Sequence, residues 1–249
     1  MISINQHNVE IKRNMEIWSK KPLLRLIYES FYKKILEFIN KNITGEVVEI
    51  GSGIGNFKSV FSKCITTDIF PNPWIDRVEN AYKLSFSDSS VSNLVLFDVF
   101  HHLAFPGSAL KELRRVLPKK GRVIIFEPCI SFFSLFIYGI FHHEPIALFK
   151  KINWANDSNN FSDSNYYAAQ GNATRIFRRN SSFNNQVLKD WRIIGNKKYS
   201  ALSYVLSGGF SKPSLYPIKF LPFIKKIEII LNYIPLIFAT RMMIVLEKK

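Results

Sequence analysis

Cysteine is scarce in this chain: Cys64 and Cys129 are the only two among 249 residues. Two cysteines cannot build a disulfide framework, and these two lack metal-site spacing. A disulfide-stapled secreted scaffold is excluded, and a reduced, cytoplasmic setting is expected. Acidic residues are also few, with 19 Asp and Glu against 34 Lys and Arg and a formal net charge of +15. That excess points to anionic company: phosphorylated substrates, nucleic acid or the anionic face of a membrane. No apolar run reaches bilayer length. Residues 129–141 are too few, and 220–239 is interrupted by Lys225, Lys226, Glu228, Asn232 and two prolines. The opening M-I-S-I-N-Q-H-N-V-E-I-K lacks the apolar stretch of a signal peptide. No membrane span is expected. No internal repeat is present. At 47% hydrophobic residues, the chain can bury the core of one generous domain, or of one domain with an insertion.

What is present is organised around residues 46–57, E-V-V-E-I-G-S-G-I-G-N-F. Val47 to Ile50 is short, apolar and β-branched, and predicts a buried strand. Gly51, Gly53 and Gly55 follow at alternate positions, and Phe57, Val60 and Phe61 then fall at helical spacing. Strand, glycine turn and helix are the parts of a nucleotide-binding crossover. Glycine suits that turn because a side chain would hold a ligand off the backbone and because such turns require positive φ. A dinucleotide fingerprint would place its third glycine at position 56, where this chain has Asn56.

Upstream, residues 1–21 are polar, with Ile11, Met15 and Trp18 at helical spacing. Pro22 can open a helix whose apolar positions, from Leu23 to Ile39, predict packing on the sheet. Downstream, Cys64 to Asp68 predicts a second strand ending in an acid. Residues 76–79 predict a weak third strand, Asn93 to Phe97 a fourth and Arg122 to Phe126 a fifth. Leu110, Leu113, Val116 and Leu117 form a helical stripe before the last of these. Residues 153–185 form a long Asn- and Ser-rich connection, a place where lids and binding elements occur. Residues 191–206 contain a sixth strand, and Phe238 to Glu247 forms the last.

The pattern acidic-x-Gly-x-Gly-x-Gly, with Glu49 as the acid, resembles the first motif of the Rossmann-like S-adenosylmethionine (SAM) methyltransferases, in their small-molecule branch. The order of segments over residues 46–128 extends the resemblance. These include A-Y-K-L-S-F-S-D at 81–88, D-V-F-H-H-L at 98–103 and A-L-K-E-L-R-R-V-L-P-K-K-G at 109–121. The resemblance implies an α/β fold: a Rossmann-like seven-stranded sheet, mostly parallel, with a final antiparallel hairpin. N-terminal helices would occupy 1–45, the SAM-binding core 46–128 and a lid or acceptor-binding insertion 129–190, with closing strands and a helical segment in 191–249.

The implied cofactor is SAM, and the implied cofactor-binding residues are Glu49, Gly51, Gly53, Gly55, Asp68, Ile69, Asn80, Ala81 and Asp98. Asp68 would accept hydrogen bonds from a ribose. Asn80 stands where the family carries an acid facing the adenine, and Ser85 and Ser92 replace its usual Pro and Asp.

Methyl transfer to a hydroxyl can use a base, and histidine suits that task. His101 and His102 at the tip of strand four and the H-H-E-P run His142 to Pro145 after strand five are the candidates, with His102 and His143 foremost. No metal site is expected. Residues after 129 resemble methyltransferases encoded with bacterial surface-polysaccharide enzymes, which implies O-methylation of a saccharide, glycolipid or lipid-linked acceptor. The aromatic run Phe132, Phe133, Phe136, Tyr138 and Phe141 reads as core or helix face, or as an apolar surface for an acceptor or membrane. With Lys150 and Lys151 beside it, it suggests peripheral contact at the inner membrane surface. Two alternatives stand: a nucleic-acid methyltransferase, favoured by charge but lacking an Asn/Asp-Pro-Pro-aromatic box, and a non-catalytic SAM-fold binding protein.

Overall fold

The computed structural model describes residues 4–141, 146–156 and 167–249. Two helices open the chain, α1 (Ile4–Lys20) and α2 (Pro22–Leu36). Seven strands follow: β1 (Glu46–Ile50), β2 (Ile65–Asp68), β3 (Arg77–Val78), β4 (Val91–Phe97), β5 (Arg122–Pro128), β6 (Trp191–Tyr199) and β7 (Arg241–Lys248). They form one sheet in the order β3-β2-β1-β4-β5-β7-β6. The five strands from β3 to β5 run parallel, and β7 pairs antiparallel with both β5 and β6. This is the Rossmann-like methyltransferase architecture that the sequence implies.

The sheet is covered on both faces, which is why β4 and β5 read as near-continuous apolar runs. Alternation assigns each residue to a face. Leu94 and Leu96 join Val48, Ile50 and Ile125 under α3 (Pro106–Val116), against Leu110, Leu113 and Val116. Val95 and Phe97 point the other way, with Val47, Ile124 and Phe126, and meet Leu24, Ile27, Phe31 and Ile35 of α2. Pro22 sits in the first turn of α2, where its missing N–H costs nothing.

One expectation is corrected. No full helix follows the glycine loop. Residues 56–59 make a single 3₁₀ turn, and β2 begins at Ile65. Gly55 is left-handed at φ +68°, and only residues 56–64 separate it from the next strand. The apolar spacing of Phe57, Val60 and Phe61 reflects packing instead: Phe57 is fully buried against Tyr32, with ring centroids 5.3 Å apart.

Beyond β5 come α4 (Phe132–Phe141), α5 (Asn172–Ile176) and α6 (Asn184–Asp190). Between β6 and β7 lie α7 (Leu202–Ser207), α8 (Leu221–Leu231) and α9 (Pro235–Phe238). The expected core role of the aromatic run holds for Tyr138, whose hydroxyl donates to the Thr240 carbonyl, while Phe132 and Phe136 are exposed. No helix among the described residues is long and apolar enough to cross a membrane.

Candidate functional site

A cleft of about 470 Å³ opens at the carboxyl edge of the parallel strands, where β1 and β4 end. Open α/β sheets bind ligands at this edge, where neighbouring crossovers diverge. The loop after β1 forms its floor. Gly51, Gly53 and Gly55 all have positive φ, at +68°, +56° and +68°. Their surroundings differ. A Cβ on Gly51 would stand 2.4 Å from Val99, and one on Gly55 would stand 2.5 Å from the Trp74 carbonyl oxygen. A Cβ on Gly53 would meet nothing nearer than Ile11, at 3.7 Å. Gly51 and Gly53 line the cleft; Gly55 does not, and its glycine serves the turn and the close approach of Trp74.

The second strand pins this loop. The Ser52 N–H donates to the Thr67 carbonyl at 2.7 Å, and the Thr67 hydroxyl donates to the Glu49 carbonyl at 2.9 Å. Asp68, at the tip of β2, accepts from the Gly53 N–H at 2.9 Å and from the Phe70 N–H at 3.3 Å. Ile69 lines the cleft beside it. Asn80 and Ala81 line the same wall, and the Asn80 side-chain oxygen accepts from the Tyr82 N–H at 2.9 Å. The neighbouring acid, Glu79, accepts from the Ser85 N–H at 2.8 Å and from its hydroxyl.

Glu49 is buried at the bottom of the cleft. Its Oε2 has no hydrogen-bond partner. Burial pushes its carboxyl up to about 8, the nearby Asp68 charge adds to that rise, and Ser52 opposes it. A buried carboxylate left in this state invites a cation.

Asp98, just after β4, is in a left-handed conformation, φ +56°, and ion-pairs with Arg241 of β7. Burial raises the Asp98 carboxyl, and the Arg241 guanidinium pulls it back. Arg241 also lies over the Tyr204 ring, 4.4 Å from its centroid. Tyr28 and Tyr32 of α2, Phe97 and Phe210 add aromatic walls, and burial pushes both tyrosine hydroxyls up, so they stay neutral.

The two histidines after β4 part company. His101 turns inward, with Nδ1 donating to Glu127 at 2.6 Å. The same carboxylate accepts from the Val99 and Phe100 N–H groups at 2.8 and 2.6 Å. His102 lines the cleft, and its Nδ1–H donates to the Tyr167 carbonyl at 3.0 Å. A carbonyl only accepts, so Nδ1 carries a hydrogen, and in the neutral ring Nε2 is then the basic nitrogen. His142, His143, Glu144 and Pro145 lie outside the described residues.

Several lining residues were not singled out by sequence: Glu10, Ile11 and Asn14 of α1, Tyr82, Tyr167 and Phe210. Arg241 also escaped, although an arginine opening a strand of apolar residues was a readable signal. No group of three or more side chains able to hold a metal ion occurs among the described residues.

Residues 48–125 match the family described as a methyltransferase domain. No curated protein matches the chain. Among solved structures, a SAM-dependent methyltransferase from Thermotoga maritima is similar with a TM-score of 0.55 at 15% identity, over 96% of this chain and 99% of its own. Geranyl diphosphate methyltransferase, solved in complex with SAM, gives 0.53 at 11% identity, over 88% of this chain and 85% of its own. A SAM-dependent methyltransferase from Archaeoglobus fulgidus gives 0.52 at 13% identity, over 90% and 94%. At these identities the structures speak for the fold; the domain match speaks for the chemistry. The cleft agrees with it. SAM carries an ammonium and a sulfonium, and the orphaned Glu49 oxygen and the aromatic walls suit a cationic ligand.

Proposed function

We propose that this chain, a SAM-dependent methyltransferase by its domain and its fold, methylates a hydroxyl oxygen of a small molecule such as a saccharide, glycolipid or lipid-linked acceptor. When bound, SAM supplies a methyl group on a positively charged sulfur. The chain's residues do the holding and the proton work. Glu49 balances positive charge at the bottom of the cleft, and Gly51 and Gly53 let the ligand reach the backbone, with Gly55 shaping the turn. Asp68 accepts from the ribose hydroxyls, with Ile69 beside it. Asn80 and Ala81 face the adenine, and Asp98, held by Arg241, closes the wall next to the reacting end.

The observation that carries O-methylation is the His102 bond to the Tyr167 carbonyl. It orients the imidazole with a hydrogen on Nδ1, so that Nε2 is the nitrogen we assign as the base, and the ring lines the cleft. With SAM bound, Nε2 would take the proton that the acceptor hydroxyl loses when its oxygen displaces the sulfur from the methyl carbon. Such an acceptor, if lipid-linked, brings the chain to the inner face of the membrane.

The first test is calorimetric titration of SAM and, separately, NAD into the purified chain. Micromolar SAM binding without NAD binding is expected. Transfer of labelled methyl to a panel of saccharides and lipid-linked saccharides then defines the acceptor. Turnover of His102→Gln at the wild-type rate would remove the assigned base, and absence of SAM binding would leave the non-catalytic alternative.

A further inference from the structure

We propose that the surface formed by α4, α8 and α9 docks on an anionic lipid bilayer. In α4, Phe132, Phe136 and Ile140 are spaced by four and form one outward stripe, with Phe132 78% exposed. Phe132, Phe133 and Phe136 also wall a groove shared with Ile237 and Phe238 of α9, where the rings of Phe133 and Phe238 lie 6.3 Å apart. The apolar surface continues from that groove through Leu236, 76% exposed, and Tyr233, 82% exposed, to Ile230 and Phe223 on α8. Beside α4, Phe149 projects almost completely into solvent, at 96% exposure, and is followed by Lys150 and Lys151. Its segment stays near the helix, since a Cβ on Gly139 would stand 3.9 Å from Ile146.

Charge selects the occupant. Residues 129–141 contain no Asp, Glu, Lys or Arg. Between 208 and 238 the one acid is Glu228, which is buried and bound to the Ser203 N–H and hydroxyl and to Lys225 at 2.8 Å. Lys212, Lys219 and Lys226 are exposed in the same stretch. The result is an apolar, aromatic surface flanked by cations, with no exposed acid among the described residues of 129–141 and 208–238. That combination matches an anionic headgroup layer over hydrocarbon: rings enter the boundary while lysine stems lie along it with their heads in water. With no helix in the described residues able to cross, the contact is peripheral.

The location has a consequence. Pro128, which precedes α4, pairs with Arg241, which follows α9, and Arg241 grips Asp98 in the cleft. Docking surface and cleft therefore share one edge of the sheet. For the direction of the acceptor alone the inference rests on the lipid-linked reading above: a tail could stay in the bilayer while the polar head enters the cleft.

The test is co-sedimentation of the full chain with vesicles of equal parts phosphatidylcholine and phosphatidylglycerol, against phosphatidylcholine alone. Binding to the anionic vesicles, weakened by added salt, is expected. The triple change Phe132→Ser, Phe136→Ser and Leu236→Ser, and separately Lys219→Glu with Lys226→Glu, should each lower it by about tenfold. SAM titration into the same variants reports whether the cleft remains folded. Equal sedimentation of wild type and folded variants, or no preference for anionic vesicles, overturns the proposal. So does self-association that both changes abolish with no vesicle binding. Vesicle binding in a chain that fails to bind SAM would uphold the docking surface and sink the methyltransferase reading instead.

Discussion

The two walls of the cleft are built in opposite ways. The heart of the wall assigned to the cofactor is local: Glu49, Gly51, Gly53 and Asp68 lie within one crossover, and most of their geometry is backbone, with Asn80, Ala81 and Asp98 added at its edge. The wall left for the acceptor is assembled from afar. His102 follows β4, Tyr167 precedes α5 and Phe210 follows α7. The first wall can be specified by glycine at fixed spacing, because only glycine adopts those positive φ values at no cost. The second depends on side chains held by partners far away in the chain, as His102 is held by Tyr167 65 positions on. A family can keep the first wall fixed while the second changes from acceptor to acceptor.

If the walls are separable in this way, damage to one should spare the other. The largest effect is expected at Gly53. Gly53→Arg places a long side chain in the cleft and a Cβ on a residue at φ +56°, a conformation that costs a non-glycine residue about 1–2 kcal/mol. SAM binding by calorimetry should fall below detection while the thermal transition moves little; normal binding would displace the pocket. The mirror case is His102→Ala, for which kcat should drop roughly 10²–10⁴-fold with SAM affinity unchanged. A change confined to SAM affinity would move His102 to the cofactor wall.

Arg241 tests whether the walls meet. Arg241→Met leaves Asp98 without its cation in a site partly open to the cleft. Removing one partner of a buried pair costs about 3 kcal/mol, the lower end of the usual range because of that opening. Denaturant unfolding should show the loss, and adding Asp98→Asn should recover part of it. If the two single changes simply add, the pair is not coupled.

What could be read from the sequence follows the same division. The glycine loop and the acid ending β2 were legible because each is written in a few adjacent residues, whereas the architecture of the sheet came from the family resemblance. The central strands were legible because short β-branched, apolar runs mark strands buried on both faces. The helix expected after Gly55 failed because Phe57, Val60 and Phe61 are apolar for tertiary packing, which imitates a helical stripe over so short a segment. The difference between His101 and His102 was not legible. One ring pairs with Glu127 and the other with the Tyr167 carbonyl, and neither partner is near in sequence. The contribution of α1 to the cleft was hidden for a similar reason: Glu10, Ile11 and Asn14 mark an amphipathic helix, and only folding decides what lies beneath it.

The smallest expected effect is also the one that probes the cofactor wall by charge alone. The Glu49 carboxyl, pushed up to about 8 by burial, binds its proton in the folded chain at pH values where the unfolded chain has lost it. The folded state therefore holds the extra proton between about 4.5, the unfolded value, and 8. By linkage, stability from this group is full below that window and declines as pH rises through it, levelling off above 8. Glu49→Gln should flatten this decline, so the variant's thermal transition gains on the wild type as pH approaches 8. A cation placed beside Glu49 reverses the preference and favours the carboxylate. SAM affinity in the wild type should accordingly rise toward pH 8, with proton release on binding that disappears in Glu49→Gln. The variant should bind SAM about tenfold more weakly, the value of one charge-assisted contact of roughly 1.4 kcal/mol. Calorimetry in two buffers of different ionisation enthalpy measures that proton directly. Equal proton release in wild type and variant would mean that Glu49 stands aside from the cation, and that the glycine loop works by shape without charge.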